Sequence, residues 1–484
     1  MTHNRTIGIQ ANEGKSPSKG LILFLFFVSG LALRLTFLGS KSLWLDEANS
    51  LRVAEMGQAA LWSGSWEIYH PPLFYWLLEL WMQLGKSEFF LRLPGAVLGS
   101  LGVPLAYLLG KDLLGKPTGL SVAGLVAFSP LLVWYSQELR PYALLCVFGL
   151  LAMVATAKFF LRPNPGWWLL FIFGMAATLY LHYVAIVMLF LQIILFILLQ
   201  AAGRTRGYTF FFWLAGWVIV AAAYWPWLQT PAASTFLRIS VQNQDYISQL
   251  LLERLHIKLE LASFSPVYLL FFIVLSVIFF SLLYILFRWT YRRGFYSALQ
   301  KSPWIQVVLV PLFVALLLAS VIPRGYSIKR QLVLLWPYIL LIFAWFWPWK
   351  KGSKALLLTI LGLSFISSFV CISLIPKDQW RETTAYIREH QENGDLVILE
   401  PTYMTIPFDY YAAGGVDREG LPFGADPALL ENLLSVHPRI WFVTHQYDGD
   451  AQKRTQEWLD EYAILQDAQD FYRLQVQLFT KKAP

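Results

Sequence analysis

The side chains best suited to chemistry stand in three short motifs, a hairpin tip and one basic cluster. The first motif is Leu43-Trp44-Leu45-Asp46-Glu47-Ala48-Asn49-Ser50, two adjacent carboxylates directly after an apolar run. A carboxylate held beside a membrane surface can take the proton of an incoming hydroxyl, the task of a general base. The same pair also fits a plainer role, with Asp46 capping and Glu47 starting a helix that runs on from Ala48 to Met56. The second motif, Tyr69-His70-Pro71-Pro72-Leu73-Phe74-Tyr75, offers an imidazole at a helix start. The third, Tyr135-Ser136-Gln137-Glu138-Leu139-Arg140-Pro141-Tyr142, brings Glu138, Arg140 and Tyr142 together and also fits an ion pair closing a hairpin. His182-Tyr183 marks a tight hairpin tip, and Arg324, Lys329 and Arg330 form the basic cluster.

Acids and cations gathered on one face suit displacement of a sugar from a phosphate. The leaving phosphate needs its charge neutralised by Arg, Lys or His, and it needs no general acid. Ordinary glycoside hydrolysis instead uses two carboxyl groups flanking the bond. No cofactor is called for with certainty by these residues. A divalent cation, Mg or Mn, is the one candidate, and Asp46 with Glu47 alone supplies few oxygen ligands for it.

The elements that position these residues are membrane spans. Of the 484 residues 57% are hydrophobic and 14% charged, where a soluble domain carries about a quarter charged. The 21 Trp suit many membrane–water interfaces. At about 20 apolar residues per span, about eleven candidates emerge, near 20–38, 91–110, 118–135, 142–161, 166–181, 184–202, 209–228, 264–287, 304–322, 332–348 and 355–375. The net charge of +8 lies in short clusters between these runs and reads as topology, not as nucleic-acid binding. Lys111 and Lys116, Arg162, Arg204 and Arg206, Arg288 to Lys301, and Lys350 to Lys354 define the cytoplasmic side. The polar tail 1–19 joins them as an uncleaved signal anchor. The acidic and mixed segments, and everything after Pro376, then face outward. Arg324, Lys329 and Arg330 break that bias, and an anionic ligand explains cations kept on the outer side. Pro71 to Leu84 is too short to cross and reads as an interfacial or re-entrant helix. Cys146 and Cys371 lie inside apolar segments, which gives no disulfide or thiolate metal site.

Residues 376–484 change character. Helical stretches at 379–391, 426–435 and 450–463 alternate with strand-like Leu396–Leu399, Ile440–Val443 and Tyr472–Phe479, the pattern of a small α/β domain. The fold class is therefore an all-α polytopic membrane protein, spanning 20–375, with a small extracytoplasmic α/β domain. A transporter or flippase of a lipid-linked molecule is the rival reading. It calls for ionisable groups within spans, which are scarce here, and for internal repeats, of which none is convincing. A non-catalytic scaffold predicts no convergent acids and bases.

At these motifs the chain resembles glycosyltransferase family 39, the dolichyl-phosphate-mannose-protein mannosyltransferase-like bacterial enzymes. It is similar, more loosely, to the family 83 aminoarabinose transferases. The resemblance covers residues 20–160 and extends through Arg324–Tyr338 to Trp380-Arg381. It implies a GT-C fold in the bacterial plasma membrane and an inverting transfer from a polyprenyl-phosphate sugar to a hydroxyl of a glycan, lipid or protein. It puts Asp46 in the role of catalytic base, supported by Glu47. His70, Glu138, Arg140, Tyr142 and His182 become lining residues, and Arg324, Lys329 and Arg330 a phosphate clamp. The large β-trefoil insertion of the eukaryotic protein mannosyltransferases is not recognisable.

Overall fold

Apolar runs longer than a soluble core requires set the architecture. The computed structural model describes residues 18–63, 70–233, 326–346, 351–445 and 450–482. Among the described residues five helices are long and apolar enough to cross a bilayer: Glu88–Leu114, Tyr142–Leu161, Tyr183–Ala201, Tyr208–Leu228 and Lys354–Leu374. The pair Lys116–Ala127 and Pro130–Ser136, bent by 53°, makes a sixth crossing when taken as one span. Lys19–Leu35, Pro165–Leu181 and Leu332–Trp345 are shorter apolar helices. The expected spans 264–287 and 304–322 lie outside the described residues. The Pro71 to Leu84 segment forms a ten-residue helix, Leu73–Met82, about 15 Å long at 1.5 Å per residue and so half the hydrocarbon thickness.

The break at Phe128-Ser129 frees backbone carbonyls that lipid cannot satisfy. Arg34 satisfies them from the first helix. Its fully buried guanidinium donates to Val126 O at 3.2 Å, Ala127 O at 3.0 Å and Gly30 O at 2.9 Å, and to Ser136 Oγ at 3.2 Å. The helices Gly102–Leu114 and Lys116–Ala127 meet at glycines, because a Cβ on Gly119 would stand 2.8 Å from Tyr107 O. Between them Gly115 turns the chain at φ +102°.

The C-terminal domain begins with the helix Trp380–His390. Its five strands are β1 (Leu396–Glu400), β2 (Arg418–Gly420), β3 (Arg439–His445), β4 (Ala463–Phe471) and β5 (Leu474–Lys481), ordered β2-β1-β3-β5-β4. β1 pairs parallel with β2 and β3, while β5 pairs antiparallel with β3 and β4. Alternate residues feed two cores, Val397, Leu399, Trp441 and Val443 on one face, Ile398, Ile440 and Phe442 on the other. With both faces covered, β1 is buried throughout, as expected of a parallel strand between layers. The helices and strands expected here all form. The helix Thr405–Ala412 and strands β2 and β4 were not foreseen, and this helix packs against Leu45–Glu55.

Candidate active site

The helix that carries the acidic pair begins earlier than the sequence suggests, at Leu45, with Trp44 as its N-cap. Asp46 and Glu47 therefore both lie in its first turn, where the helix dipole favours negative charge. Their side chains go to different places. Glu47 is fully buried. Arg92 grips both its oxygens, Nε to Oε1 at 2.8 Å and Nη2 to Oε2 at 2.7 Å. Lys377 Nζ donates to Oε2 at 3.0 Å and Leu139 N–H to Oε1 at 2.8 Å. Burial alone pushes this carboxyl up. Arg92, Lys377 and the Leu139 N–H overrule burial and hold its pKa down at about 2. Arg92 also donates to the carbonyls of Leu38, Lys41 and Ser42, so Glu47 is the centre of a socket and has no coordination left for substrate.

Asp46 faces the other way and is a quarter exposed. Arg330 Nη1 lies 2.8 Å from its Oδ2 as a charge contact outside hydrogen-bond alignment, and the guanidinium stacks on Trp44 at 5.1 Å. Arg140 donates to the Asp46 carbonyl at 3.1 Å and to Ser50 Oγ at 3.0 Å. Its Nη2 meets His70 Nε2 at 3.3 Å. Arginine only donates, which assigns His70 the tautomer with its proton on Nδ1. The His70 and His182 rings are 4.7 Å apart. Burial first, then Arg140, holds His182 down at about 4 and His70 well below its usual value, so both are neutral near pH 7. His182 Nδ1 accepts from Val184 N–H at 3.1 Å. Tyr142 lies beside Arg140 and His182.

Four N–H groups in this neighbourhood are buried without a hydrogen-bond acceptor among the described residues: Trp44 Nε1, His70 Nδ1, Arg140 Nε and Arg330 Nε. Buried donors are costly when unsatisfied. A cluster of them linked through Asp46 is chemically complementary to an anion with several acceptor oxygens. Glu138 stands behind this cluster, with Trp134 Nε1 on its Oε1 at 2.9 Å and no hydrogen bond to Oε2 among the described residues. Burial raises its pKa against the opposing charge of Lys377. Glu138 and Arg140 close the polar end of an apolar cavity of about 380 Å³, walled by Phe74, Leu77, Val97 and Leu144. A larger cavity of about 700 Å³ lies on the opposite face of Leu45–Glu55, against Ala48, Leu51 and Glu55. Its acids are paired, Glu55 with Lys86 and Glu88 with Arg381, and helical spacing at 100° per residue points it away from Asp46.

Both oxygens of Glu47 are occupied by cations, Asp46 faces Arg330, and the described residues contain no group of three His, Cys, Asp or Glu suited to a metal. The surroundings are rich in cations and in N–H donors.

Of the residues singled out from sequence, the structure brings together Asp46, His70, Glu138, Arg140, Tyr142, His182 and Arg330. Glu47 is adjacent but walled off. Arg324 lies outside the described residues, as does the side chain of Lys329. Sequence reading missed Arg92, Lys377 and Trp44. Arg92 sits in a run taken as a span, and Lys377 follows the last span with no motif around it. Trp44 precedes the acids, and nothing in the sequence marks its side chain.

A family model described as dolichyl-phosphate-mannose-protein mannosyltransferase matches residues 69–229, the stretch from the His70 motif to the end of the Tyr208–Leu228 helix. No curated protein sequence matches significantly. Among solved structures, ArnT from Cupriavidus metallidurans, in the apo state and bound to undecaprenyl phosphate, aligns at TM-score 0.56 and 12% identity. That alignment covers 96% of this chain and 98% of ArnT. The archaeal oligosaccharyltransferase AglB from Archaeoglobus fulgidus, in complex with an inhibitory peptide and a dolichol-phosphate, aligns at TM-score 0.51 and 10% identity over 88% of this chain and 69% of AglB. The chain is thus a polytopic membrane protein of the GT-C fold.

Proposed function

We propose that this chain is an integral-membrane, inverting glycosyltransferase of the bacterial plasma membrane that moves a sugar from a polyprenyl-phosphate donor to an acceptor hydroxyl. The observation that carries the reading is the set of four unsatisfied N–H donors, from Trp44, His70, Arg140 and Arg330, around Asp46, the part-exposed member of the acidic pair. Asp46 takes the acceptor hydroxyl's proton as its oxygen bonds to the anomeric carbon from the face opposite the phosphate. The C–O bond to phosphate breaks, its electron pair stays on the phosphate oxygen, and the N–H groups receive the added charge. The neutral histidines donate or accept without repelling the arginines. The apolar cavity that ends on Arg140 suits the hydrocarbon of such a donor. The acceptor is a glycan, lipid or protein on the outer face, with the N-terminus in the cytoplasm and residues 376–484 outside. ArnT and AglB were seen with undecaprenyl phosphate and dolichol-phosphate, which favours this reading over lipid transport.

The test is binding of undecaprenyl phosphate by the purified protein in nanodiscs. Arg330→Ala removes a charge-assisted contact of about 1.5–3 kcal/mol and is expected to raise Kd roughly 10- to 150-fold. A Kd within twofold of the parent would place the phosphate elsewhere.

A further inference from the structure

The outer domain has its own two apolar cores, yet the loop that leads into the acidic pair is bonded residue after residue to it and to the end of the span before it. Lys41 Nζ donates to Ile375 O at 2.7 Å. Ser42 Oγ donates to Glu382 at 3.0 Å and accepts from Arg381 N–H at 3.2 Å. Leu43 N–H donates to the Tyr411 hydroxyl at 2.6 Å. Arg381 reaches back to Gly39 O at 3.3 Å while pairing with Glu88 at 2.5 Å. The deepest of these contacts is Lys377, whose buried ammonium ends on Glu47.

Residues 41–44 form neither helix nor strand, and an unsupported loop of this kind samples many backbone states. Arg92 alone, bound through two hydrogen bonds, neutralises Glu47. Lys377 is a second cation on a carboxylate that Arg92 already neutralises, its charge also acting on the buried Glu138, and burying an ammonium is costly. What it adds at Glu47 is geometric. It fixes the first turn of Leu45–Glu55 to the start of the outer domain, and Asp46 is the next residue along that turn.

We propose that Lys377 is a positioning residue for Asp46, through which the outer domain holds the catalytic turn in register. The proposal rests on the transfer reading only for its activity readout. Catalytic groups must be held within about 0.5 Å of productive geometry, and a misplacement of 1 Å can cost about a hundredfold in rate.

The test compares the full-length parent, Lys377→Met and Lys377→Arg in nanodiscs. Amide hydrogen exchange over residues 39–48 should quicken about tenfold or more in Lys377→Met, and Lys377→Arg should stay close to the parent. Restored to a deletion strain, Lys377→Met should form the modified surface glycan about 10- to 100-fold more slowly, as read by mass spectrometry. Its Kd for undecaprenyl phosphate should stay within about threefold of the parent. Parental exchange and parental product formation in Lys377→Met would overturn the proposal. So would loss of undecaprenyl phosphate binding together with product, the signature of a general fold support. If the parent itself modifies no surface glycan, lipid or protein, the transfer reading fails while hydrogen exchange still decides the clamp.

Discussion

Replacing Glu47 by Gln keeps the shape of the side chain and removes its charge, leaving Arg92 and Lys377 buried without their counter-ion. Two routes give the magnitude. Removing one partner of a buried ion pair costs about 3–5 kcal/mol. The fall of the Glu47 pKa from 4.5 to about 2, at 1.36 kcal/mol per unit, corresponds to roughly 3 kcal/mol in favour of the ionised form. Arg92 retains three carbonyl acceptors, which places the cost at the lower end. At about 2 °C per kcal/mol for a large chain, Glu47→Gln should melt about 5–8 °C below the parent in detergent. Arg92→Met combined with Glu47→Gln should cost less than the sum of the two, because each single change orphans the other group. A Glu47→Gln variant that melts within a degree of the parent would refute the socket. Earlier melting also separates the two acids, since Asp46→Asn touches only a part-exposed contact.

The pKa of His182, about 4, lies below its ordinary value of 6.5. The unfolded chain therefore binds the proton first, so this contribution is intact above about pH 6.5 and is lost as pH falls toward 4, up to roughly 3 kcal/mol. Melting between pH 7 and 4 should show that loss in the parent and a flatter profile in His182→Asn; equal slopes would contradict it. For orientation, an impermeant thiol reagent on intact cells should label Arg388→Cys in the C-terminal domain, where the residue is exposed. It should not label Arg204→Cys or Lys111→Cys, and both native cysteines are buried. Labelling at Arg204→Cys would invert the topology.

How much was legible from sequence depended on whether the signal was local. Helix Leu73–Met82 announced itself through its length and its prolines, and β1 and β3 through short β-branched and aromatic runs between turn residues. β4 escaped because its exposed Gln and Asp residues follow no hydrophobic alternation; it exists because β5 offers it an edge. Arg34 and Arg92 were hidden by the same effect, a single charge inside an apolar run being outvoted in a hydropathy window. Within the site, the motifs located Asp46, His70 and Arg140, yet nothing in the sequence separated Asp46 from Glu47. That distinction comes from Arg92 and Lys377, 45 and 330 residues away, and long-range pairing leaves no local pattern.

The role of Asp46 as base is tested by sugar transfer by purified Asp46→Asn, measured beside its affinity for undecaprenyl phosphate. Asparagine keeps the size of the side chain but cannot accept a proton. General-base assistance is typically worth about 10²–10⁴ in rate, so transfer should fall by at least about a hundredfold. Undecaprenyl phosphate should bind as tightly as before or more tightly, since Arg330 is released from its contact with Asp46. Near-parental transfer by Asp46→Asn would contradict the account and shift the search for the base to Glu138.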